Sequence, residues 1–356
     1  MAQVLRSDVL ALGPRAEAFE HVIARLAGRS YGVACSSGTA GLHMAIVALG
    51  IEPGDEVITT PFSFVASANC ILYERATPRL VDIEEETLGL DPALVEAAAN
   101  PRTRGILAVD VFGHPCRIDI LEEIAERKGW WLLEDACEAL GSKLRDRSSG
   151  SFGKAAVFAF YPNKQITTGE GGMVVTDDAA LADVLRSLRN QGRDTDGTWL
   201  RHVRLGFNYR LDEMSAALGL VQAERLPELR ARREHVVRRY EELLGELPWL
   251  RLPRVAVDAS VDWFVYVVRL DESIDRDRLV AQLEERGVVS RPYFSPIHLQ
   301  PYWRERFGYG PGDFPVTERV ARSTLALPFS TRLADDEIGI VAAALRDAVE
   351  EQGRIG

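Results

Sequence analysis

The sequence predicts an α/β protein with a mostly parallel sheet and a second, smaller domain. Between about residues 30 and 190, short runs rich in Val, Ile and aromatic residues alternate with amphipathic segments. Such alternation is typical of a parallel sheet with helices on both faces. The length of 356 residues exceeds that of most single domains and leaves room for another domain after the sheet.

Six strands are predicted for this sheet, from apolar runs bounded by Gly, Pro or Asp residues. They occupy residues 55–60, 78–83, 105–112, 130–136, 154–160 and 172–177. The helices predicted around them occupy residues 39–49, 66–75, 92–99, 119–128 and 178–190. We expect the functional residues at the carboxyl ends of the strands, where sites on such sheets gather.

A long helical stretch follows at 212–246, and Pro227 is expected to bend or divide it. The remaining chain contains a strand candidate at 263–270, a helix at 276–286, an irregular segment at 290–303 and a final helix at 335–351. We therefore predict a large domain at 1–246 and a smaller α+β domain at 247–356.

Charge and hydropathy exclude several classes of protein. The chain has 53 acidic and 42 basic residues, a formal net charge of −11, and no long basic stretch, so nucleic-acid binding is not expected. No apolar run is long enough for a membrane span, and the N-terminus lacks a signal-peptide core. The cysteines are far apart and form no CxxC pair, which predicts no zinc site and no disulfide framework. We expect buried thiols in a reducing cytoplasm.

Lysine is rare in this chain, and one lysine stands in a special place. Only four lysines occur, against 38 arginines: Lys128, Lys143, Lys154 and Lys164. Lys164 follows a predicted strand and precedes the segment TTGEGG. An amine can form a Schiff base, which a guanidinium group cannot. Lys164 is therefore a candidate catalytic amine, the alternative being an ordinary solvated lysine.

Three further features lie at strand ends of the same predicted sheet. Asp135 ends a buried strand, where a carboxylate either holds a pyridinium nitrogen protonated or caps a helix. The turn 36–39 opens a helix whose free N–H groups suit a phosphate. Phe62 and Phe64 follow another strand and either stack on a planar ring or belong to the core. An amine, an acid, a phosphate cradle and a stacking platform together predict a pyridoxal 5′-phosphate site. The GxxxxGK[ST], GxGxxG, HExxH and GxSxG motifs of other site classes are absent from the expected places.

The order of motifs resembles the DegT/DnrJ/EryC1/StrS family of pyridoxal-phosphate-dependent sugar aminotransferases. The resemblance covers nearly the whole chain and rests on SSGTAGL, DEVITTPFSFVASAN, DVFGHPCRID, LLEDACEALGS, FAFYPNKQITTGEGGMVVTDD, LGFNYRLDEMSAALGLVQ and RPYFSPIHLQPYW. It implies the fold-type I aminotransferase architecture, with a mostly parallel sheet of the seven-stranded type. It also implies a homodimer with shared active sites. The implied reaction is a ping-pong transfer, through an internal aldimine, from L-glutamate to a keto sugar nucleotide.

The resemblance also implies a role for each matching residue. Lys164 matches the Schiff-base lysine and Asp135 the partner of the pyridine nitrogen. Gly38 and Thr39 match the phosphate-binding turn, and Phe64 matches the ring-stacking aromatic residue. Asn208 matches a residue that reaches the cofactor phosphate of the neighbouring subunit, with Arg210 nearby. The candidates for substrate contacts, whose alternative is a polar interdomain loop, are Tyr161, Arg291, Tyr293 and His298.

Three departures from the family pattern alter these expectations. Glu138 stands where many members have Gln, so it is expected to be protonated or to accept a proton from the phenolic oxygen of the cofactor. Ala159 stands where many members have a serine that donates to the phosphate, and Asn163 is the expected replacement donor. The chain also begins later than most members, so part of the sugar site is expected to be absent or rearranged.

Three other functions are open on the same motifs. A sugar dehydratase of this family has His in place of the lysine, and Lys164 argues against it. A keto-cyclitol aminotransferase of the aminoglycoside type shares all the motifs. A non-catalytic regulator that binds pyridoxal 5′-phosphate or a sugar nucleotide is the third, against which the intact lysine and acid argue.

Overall fold

The computed structural model describes residues 1–194 and 198–353 and contains one large sheet and two small ones. The strands are β1 Tyr31–Cys35, β2 Glu56–Thr59, β3 Thr77–Leu80, β4 Thr103–Val109, β5 Trp131–Asp135, β6 Lys143–Leu144, β7 Arg147–Ser148, β8 Ala155–Ala159, β9 Gly172–Thr176, β10 Leu250–Arg251, β11 Ala259–Ser260, β12 Tyr266–Leu270 and β13 Thr324–Leu327. The large sheet has seven strands in the order β1-β9-β8-β5-β4-β2-β3. Strands β3, β2, β4, β5 and β8 are parallel, and β9 is antiparallel to both β8 and β1. The predicted α/β class and mostly parallel sheet are confirmed.

The helices cover both faces of this sheet and extend into the second domain. They are α1 Pro14–Leu26, α2 Gly38–Ala48, α3 Ala66–Tyr73, α4 Pro92–Ala98, α5 Ile118–Lys128, α6 Ala179–Arg189, α7 Glu213–Glu224, α8 Leu226–Leu244, α9 Arg276–Glu285, α10 Pro301–Phe307, α11 Pro315–Ser323 and α12 Asp335–Gly353. The stretch at 212–246 forms two helices, and Pro227 lies in the first turn of the second, where proline is well tolerated. The predicted division at this proline is confirmed.

Strand β1 was not predicted. Its sequence, YGVAC, contains a glycine and an alanine, which are depleted in strands and weaken the local signal. The strand forms because all five residues pair with β9 at the edge of the sheet, from Tyr31 opposite Thr176 to Cys35 opposite Gly172. Four of the five are buried, so burial and pairing decide the conformation here.

The three-stranded sheet β10-β12-β13 and helices α8, α9 and α12 enclose a second hydrophobic core. Helix α8 belongs to both cores. Leu226 and Leu229, in its first turns, pack with α1 and α7, whereas Val236, Tyr240 and the residues after them pack in the second core. The boundary between 246 and 247 remains a prediction, but the second core already includes the later turns of α8.

The topology places several loops at one edge of the large sheet. The parallel strands β2, β4, β5 and β8 all end there, and β1 runs in the same direction as β8 because both are antiparallel to β9. Strand β9 begins at that edge. The segments that follow β1, β2, β4, β5 and β8 therefore meet at one place, as expected for a site on a parallel sheet. Among the helices of the described ranges, none is both long and apolar enough to cross a membrane.

Candidate active site

A cavity of about 450 Å³ lies at this edge of the sheet. Its walls come from the ends of strands, from the segments that follow them, and from the loop that contains Tyr293 and Phe294. The lining residues include Ser37, Gly38, Thr39, Ser63, Phe64, Ser67, Val109, Asp135, Cys137, Glu138, Ala159, Tyr161, Asn163, Lys164, Tyr293 and Phe294. The structure thus brings together residues that are up to about 250 positions apart in the chain.

The first turn of helix α2 forms one wall. Ser37 caps the helix, its hydroxyl accepting a hydrogen bond from Ala40 N at 3.1 Å. A Cβ atom at Gly38 would lie 2.7 Å from the Cβ of Ala159 and 3.0 Å from Cys137 Sγ, so only glycine fits. The N–H groups of this turn have no partner inside the helix, and the helix dipole favours an anion near them.

Asp135 ends strand β5 and is only 4% exposed. Its carboxylate accepts hydrogen bonds from Ser67 Oγ at 2.6 Å and from Cys137 N at 3.2 Å. In residues 136–142, all of which the structure describes, the chain forms turns and no α-helix. The helix-capping alternative for Asp135 is therefore wrong, and its carboxylate instead lines the cavity.

Lys164 lies on the loop between β8 and β9, and a turn closed by its own N–H to Tyr161 O sets its place. Its amine donates to Glu138 Oε1 at 3.1 Å and lies 4.6 Å from the centroid of the Phe264 ring. The side chain is 13% exposed. Burial lowers the pKa of the Lys164 ammonium, but the charge and hydrogen bond of Glu138, together with weaker contributions such as that of Asp135, raise the net pKa.

Glu138 connects the lysine to the loop after strand β4. Its second carboxylate oxygen accepts a hydrogen bond from Phe112 N at 2.9 Å. Phe112 has a φ of +57°, in the left-handed region that non-glycine residues rarely occupy. The Phe112 ring in turn stacks on Phe294 of the second domain, with centroids 5.3 Å apart. One carboxylate thus joins the lysine, a strained loop and the wall of the cavity.

The two candidate stacking residues have different surroundings. Phe62 is fully buried in the core, which is the alternative considered for it, whereas Phe64 is 61% exposed and lines the cavity. Tyr161 and Tyr293 also line it, and burial raises the pKa of Tyr293. An exposed aromatic ring at the mouth of a cavity is available for a planar ligand.

Four of the candidate residues lie outside this cavity in the described part of the chain. Asn208 is exposed and pairs through its backbone with Asn190, whose side chain also accepts from Arg210. Arg291 is exposed, and its guanidinium donates to Ser290 O. His298 is fully buried, with its Nε2 atom 3.2 Å from Glu318 Oε1. Burial lowers the pKa of His298, as expected for a histidine that belongs to the packing.

Several contacts in the site were not foreseen from the sequence. They are the hydroxyl of Ser67 on Asp135, the backbone N–H of Phe112 on Glu138, the ring of Phe264 beside Lys164, and the amide of Gln165. No local pattern marks these residues, because each acquires its role only by tertiary contact. Ser67 alone had a weak signal, as a serine in the segment that follows the TTPF turn.

The chain matches known proteins along almost its whole length. The model of the DegT/DnrJ/EryC1/StrS aminotransferase family matches residues 1–346. The GDP-perosamine synthase of Caulobacter vibrioides is 41% identical over 330 residues, covering 92% of this chain and 88% of that protein. The spore coat polysaccharide biosynthesis protein SpsC of Bacillus subtilis is 37% identical over 363 residues, covering 98% and 93% of the two chains. The crystal structure of S. venezuelae DesV in complex with a ketimine intermediate has a TM-score of 0.92 and 37% identity, covering 98% of this chain and 93% of that one.

The fold and the relatives together define a transaminase, and the resemblance seen in the sequence is confirmed. The chain belongs to the DegT/DnrJ/EryC1/StrS aminotransferase family. Its enzyme class is therefore aminotransferase, in a family that acts on sugars and serves sugar or polysaccharide biosynthesis.

Proposed function

We propose that this aminotransferase uses pyridoxal 5′-phosphate to move the amino group of L-glutamate to a keto sugar attached to a nucleoside diphosphate. The observation that carries the proposal is one cavity in which the Lys164 amine, the Asp135 carboxylate and the open turn of helix α2 converge. These are the three groups that such a cofactor requires: an amine for its aldehyde, an acid for its ring nitrogen and donors for its phosphate.

The residues present fit this cofactor. Ser37, Gly38 and Thr39 of the first turn of α2 line the cavity, where their N–H groups would face a phosphate, and no side chain would fit at Gly38. Phe64, exposed at the cavity mouth, would cover one face of the ring. Asp135, held by Ser67, would keep the ring nitrogen protonated. When bound, the cofactor supplies an electron sink for a carbanion beside the amine nitrogen.

The residues of this chain then provide the proton transfers. With the cofactor bound, the Lys164 amine would be the base that moves a proton between the two carbon atoms flanking the transferred nitrogen. When Lys164 carries the proton, its ammonium group donates a hydrogen bond to Glu138 Oε1, at the distance of 3.1 Å described above. The Asp135 carboxylate, which accepts a hydrogen bond from Ser67 Oγ, would hold the proton on the ring nitrogen.

Ala159 and Glu138 depart from the family pattern, and the structure shows which groups surround them. Ala159 provides no hydroxyl, but Asn163 lines the same cavity and its amide is a candidate donor. Glu138 is already engaged by two donors, Lys164 Nζ and Phe112 N. A carboxylate in that position therefore serves the lysine as well as the cofactor.

The proposed substrate class rests on the relatives and on the open side of the cavity. GDP-perosamine synthase is named for a sugar joined to a nucleoside diphosphate. Tyr161, which is 52% exposed, and Tyr293 line the cavity and remain our candidates for substrate contacts. Arg291 and His298 lie outside this cavity in this chain, so the geometry favours Tyr161 and Tyr293 for these contacts.

We also propose a homodimer with shared sites. Asn208 and Arg210 lie outside the cavity of their own chain, next to a segment with exposed apolar side chains that include Trp199 and Leu205, which are 81% and 87% exposed. Mixing a Lys164→Ala chain with an Asn208→Asp chain tests this. Shared sites predict that mixed dimers regain activity, because one site then carries neither lesion. Mixed dimers that stay inactive would remove Asn208 from the site.

The function is tested by following the nitrogen. The protein is loaded with pyridoxal 5′-phosphate and given 15N-labelled L-glutamate with a panel of keto sugar nucleotides and keto-cyclitols, and the products are identified by mass. Lys164→Ala should abolish transfer, and the matched control Lys154→Ala, a substitution at an exposed lysine, should not. Labelled nitrogen on a keto-cyclitol but on no sugar nucleotide would contradict the substrate class. Cofactor binding without transfer to any acceptor would instead favour the regulator.

A further inference from the structure

The amine of Lys164 is enclosed by side chains from two parts of the protein. Glu138, which accepts its hydrogen bond at 3.1 Å, follows strand β5 of the large sheet. Phe264, whose ring centroid is 4.6 Å from Nζ, lies two residues before strand β12 of the second sheet. The cation therefore has a carboxylate on one side and an aromatic face on the other.

The Phe264 ring is a fixed partner for this cation. It is only 5% exposed and packs in the large core together with Val267 and Ala326. An ammonium group above an aromatic ring is attracted by the electron density of the ring face, and the attraction grows when both groups are shielded from water. Phe264 thus stabilises the charged form of Lys164 over the neutral form.

The backbone on both sides of this contact is tied together. The Gln165 side chain is buried, and its amide donates to the carbonyl of Asp262 at 2.8 Å and also to that of Glu138. Arg233, on helix α8, donates to Gln165 O at 2.7 Å. The lysine loop, the Glu138 segment and the segment leading to Phe264 are therefore held in one arrangement, and the ring cannot move away independently.

We propose that Phe264 is a positioning residue that, with Glu138, holds Lys164 as an ammonium until pyridoxal 5′-phosphate binds. The inference rests on the proposed function only in taking Lys164 as the amine that receives the cofactor. An amine must lose its proton before its nitrogen attacks an aldehyde. Glu138 and Phe264 therefore fix the lysine in place and slow its reaction with the cofactor.

The other ionisable groups near Lys164 do not replace these two. Burial raises the pKa of Cys137 well above its ordinary value and also raises the pKa of Tyr293, so both are uncharged at neutral pH. Asp135 adds a weaker attraction than Glu138, and Arg233 contacts only the backbone carbonyls of the lysine loop. Glu138 and Phe264 are the partners in direct contact with the amine.

The small number of lysines makes a direct test practical. Protein without cofactor, labelled at the ε-carbon of lysine with 13C, should show four lysine signals by NMR, assigned by single Lys→Arg substitutions. Phe264→Leu keeps an apolar side chain but removes the aromatic face. It should lower the pKa of Lys164 by about 0.5 to 1 unit, and Phe264→Tyr should restore it. Glu138→Gln should lower it further, because it removes a full negative charge.

The matched control is Phe329→Leu. Phe329 is half-buried and its ring stacks on Tyr266, 6.2 Å between centroids, in the second core. This variant should leave the Lys164 pKa unchanged, and the other three lysines are internal references in every sample. A folded Phe264→Leu protein whose Lys164 pKa equals that of the unmodified chain would overturn the proposal. If Phe264→Leu does not fold, Phe264→Met answers the same question.

The second readout is the rate at which added pyridoxal 5′-phosphate is captured, followed by visible absorbance. The neutral amine attacks the aldehyde carbon, a C=N bond forms and one water molecule is released. Below the pKa of the lysine, Phe264→Leu should raise this rate about three- to tenfold, which is the pKa shift expressed as neutral amine. A purely structural defect would slow capture, and that result would also contradict the proposal. Equal capture by Lys164→Ala would contradict the proposed function instead, while the NMR titration would still decide the role of Phe264.

Discussion

Two neighbouring carboxylates at the end of strand β5 have opposite surroundings. Asp135 faces the cavity and is bound by Ser67 and Cys137, whereas Glu134 faces the other side of the sheet. Glu134 is completely buried and accepts hydrogen bonds from Gly150 N at 2.7 Å and Phe152 N at 3.1 Å. Successive side chains of a strand point to opposite faces, so one residue step separates the two environments.

The buried side contains a second acid. Asp110, which follows strand β4, is also fully buried, and one of its oxygens accepts from Cys116 N at 3.1 Å. Burial raises the pKa of Asp110 to about 6, and burial together with the neighbouring charge of Asp110 raises the pKa of Glu134 well above its ordinary value. Lys164, by contrast, has Glu138 as its counter-ion. Asp135 and Glu134 are both buried, so what distinguishes them is that Asp135 faces the cavity whereas Glu134 is enclosed by backbone donors and a second acid.

The substitution Asp135→Asn tests most directly whether Asp135 has a chemical role that Glu134 lacks. The amide keeps the size of the side chain but cannot hold the ring nitrogen protonated. We expect the turnover rate to fall by about 10²- to 10⁴-fold with little change in stability. Turnover is measured per folded molecule, with urea unfolding as the control. A loss of stability with an unchanged rate would make Asp135 a structural residue like its neighbour.

The reciprocal change is Glu134→Ala. It leaves the N–H groups of Gly150 and Phe152 buried without an acceptor, at about 1–3 kcal/mol for each. We expect the free energy of unfolding to fall accordingly, while the turnover of the folded fraction stays near that of the unmodified chain. Chemical denaturation and an activity assay at low temperature separate the two effects. A large rate loss in fully folded protein would give Glu134 a part in the chemistry.

The acid pair also predicts a pH dependence of stability. An acid whose pKa is raised in the folded state contributes fully to the stability of the protein below its ordinary pKa, which is about 4 for Asp. This stabilisation is lost as the pH rises through the folded-state pKa. For Asp110 that value is about 6. Stability should therefore decline between about pH 4 and pH 7 through this group, and further at higher pH through Glu134.

Asp110→Asn should flatten this decline, because an amide does not titrate and can donate to Glu134. The measurement is the melting temperature from pH 5 to pH 8 of the unmodified protein and of Asp110→Asn. The control is Asp146→Asn, a substitution at an exposed loop position. If the two curves stay parallel over the whole range, Asp110 does not titrate there.

The smallest expected effect concerns the phosphate end of the cavity. Ala159→Ser restores the hydroxyl that many family members have, and a new hydrogen bond contributes about 0.5–1.5 kcal/mol. The dissociation constant for pyridoxal 5′-phosphate should fall about two- to tenfold, as measured by equilibrium dialysis. The same substitution in an Asn163→Ala background should have a larger effect if Asn163 now serves as the donor. Equal effects in both backgrounds would show that Asn163 is not that donor.

Much of the sheet was predictable because its signals are local. All six predicted strands form within about three residues of their expected ends, since short runs rich in Val, Ile and aromatic residues and bounded by Gly, Pro or Asp are typical of buried strands. Strand β1 was missed because its conformation depends on pairing with β9, which lies about 140 positions away. Local propensity carries no information about such a partner.

The same division applies to the site. Lys164, Asp135, Gly38 and Phe64 were identified because scarcity, strand-end position and motif order mark them in the linear chain. His298 and Arg291 were assigned to the substrate from an irregular loop, yet one is buried against Glu318 and the other points to solvent. A loop without periodicity does not reveal which of its side chains face the cavity.

Residue chemistry and the order of short motifs predict the fold class, the family and the candidate reactive groups. Which carboxylate faces the cavity, which hydroxyl holds Asp135 and which aromatic ring lies beside the lysine depend on tertiary contacts. Those roles arise where segments distant in the chain come within a few ångströms of each other. Hydrogen bonds and cation–aromatic contacts act only over such distances, so their partners depend on the folded arrangement.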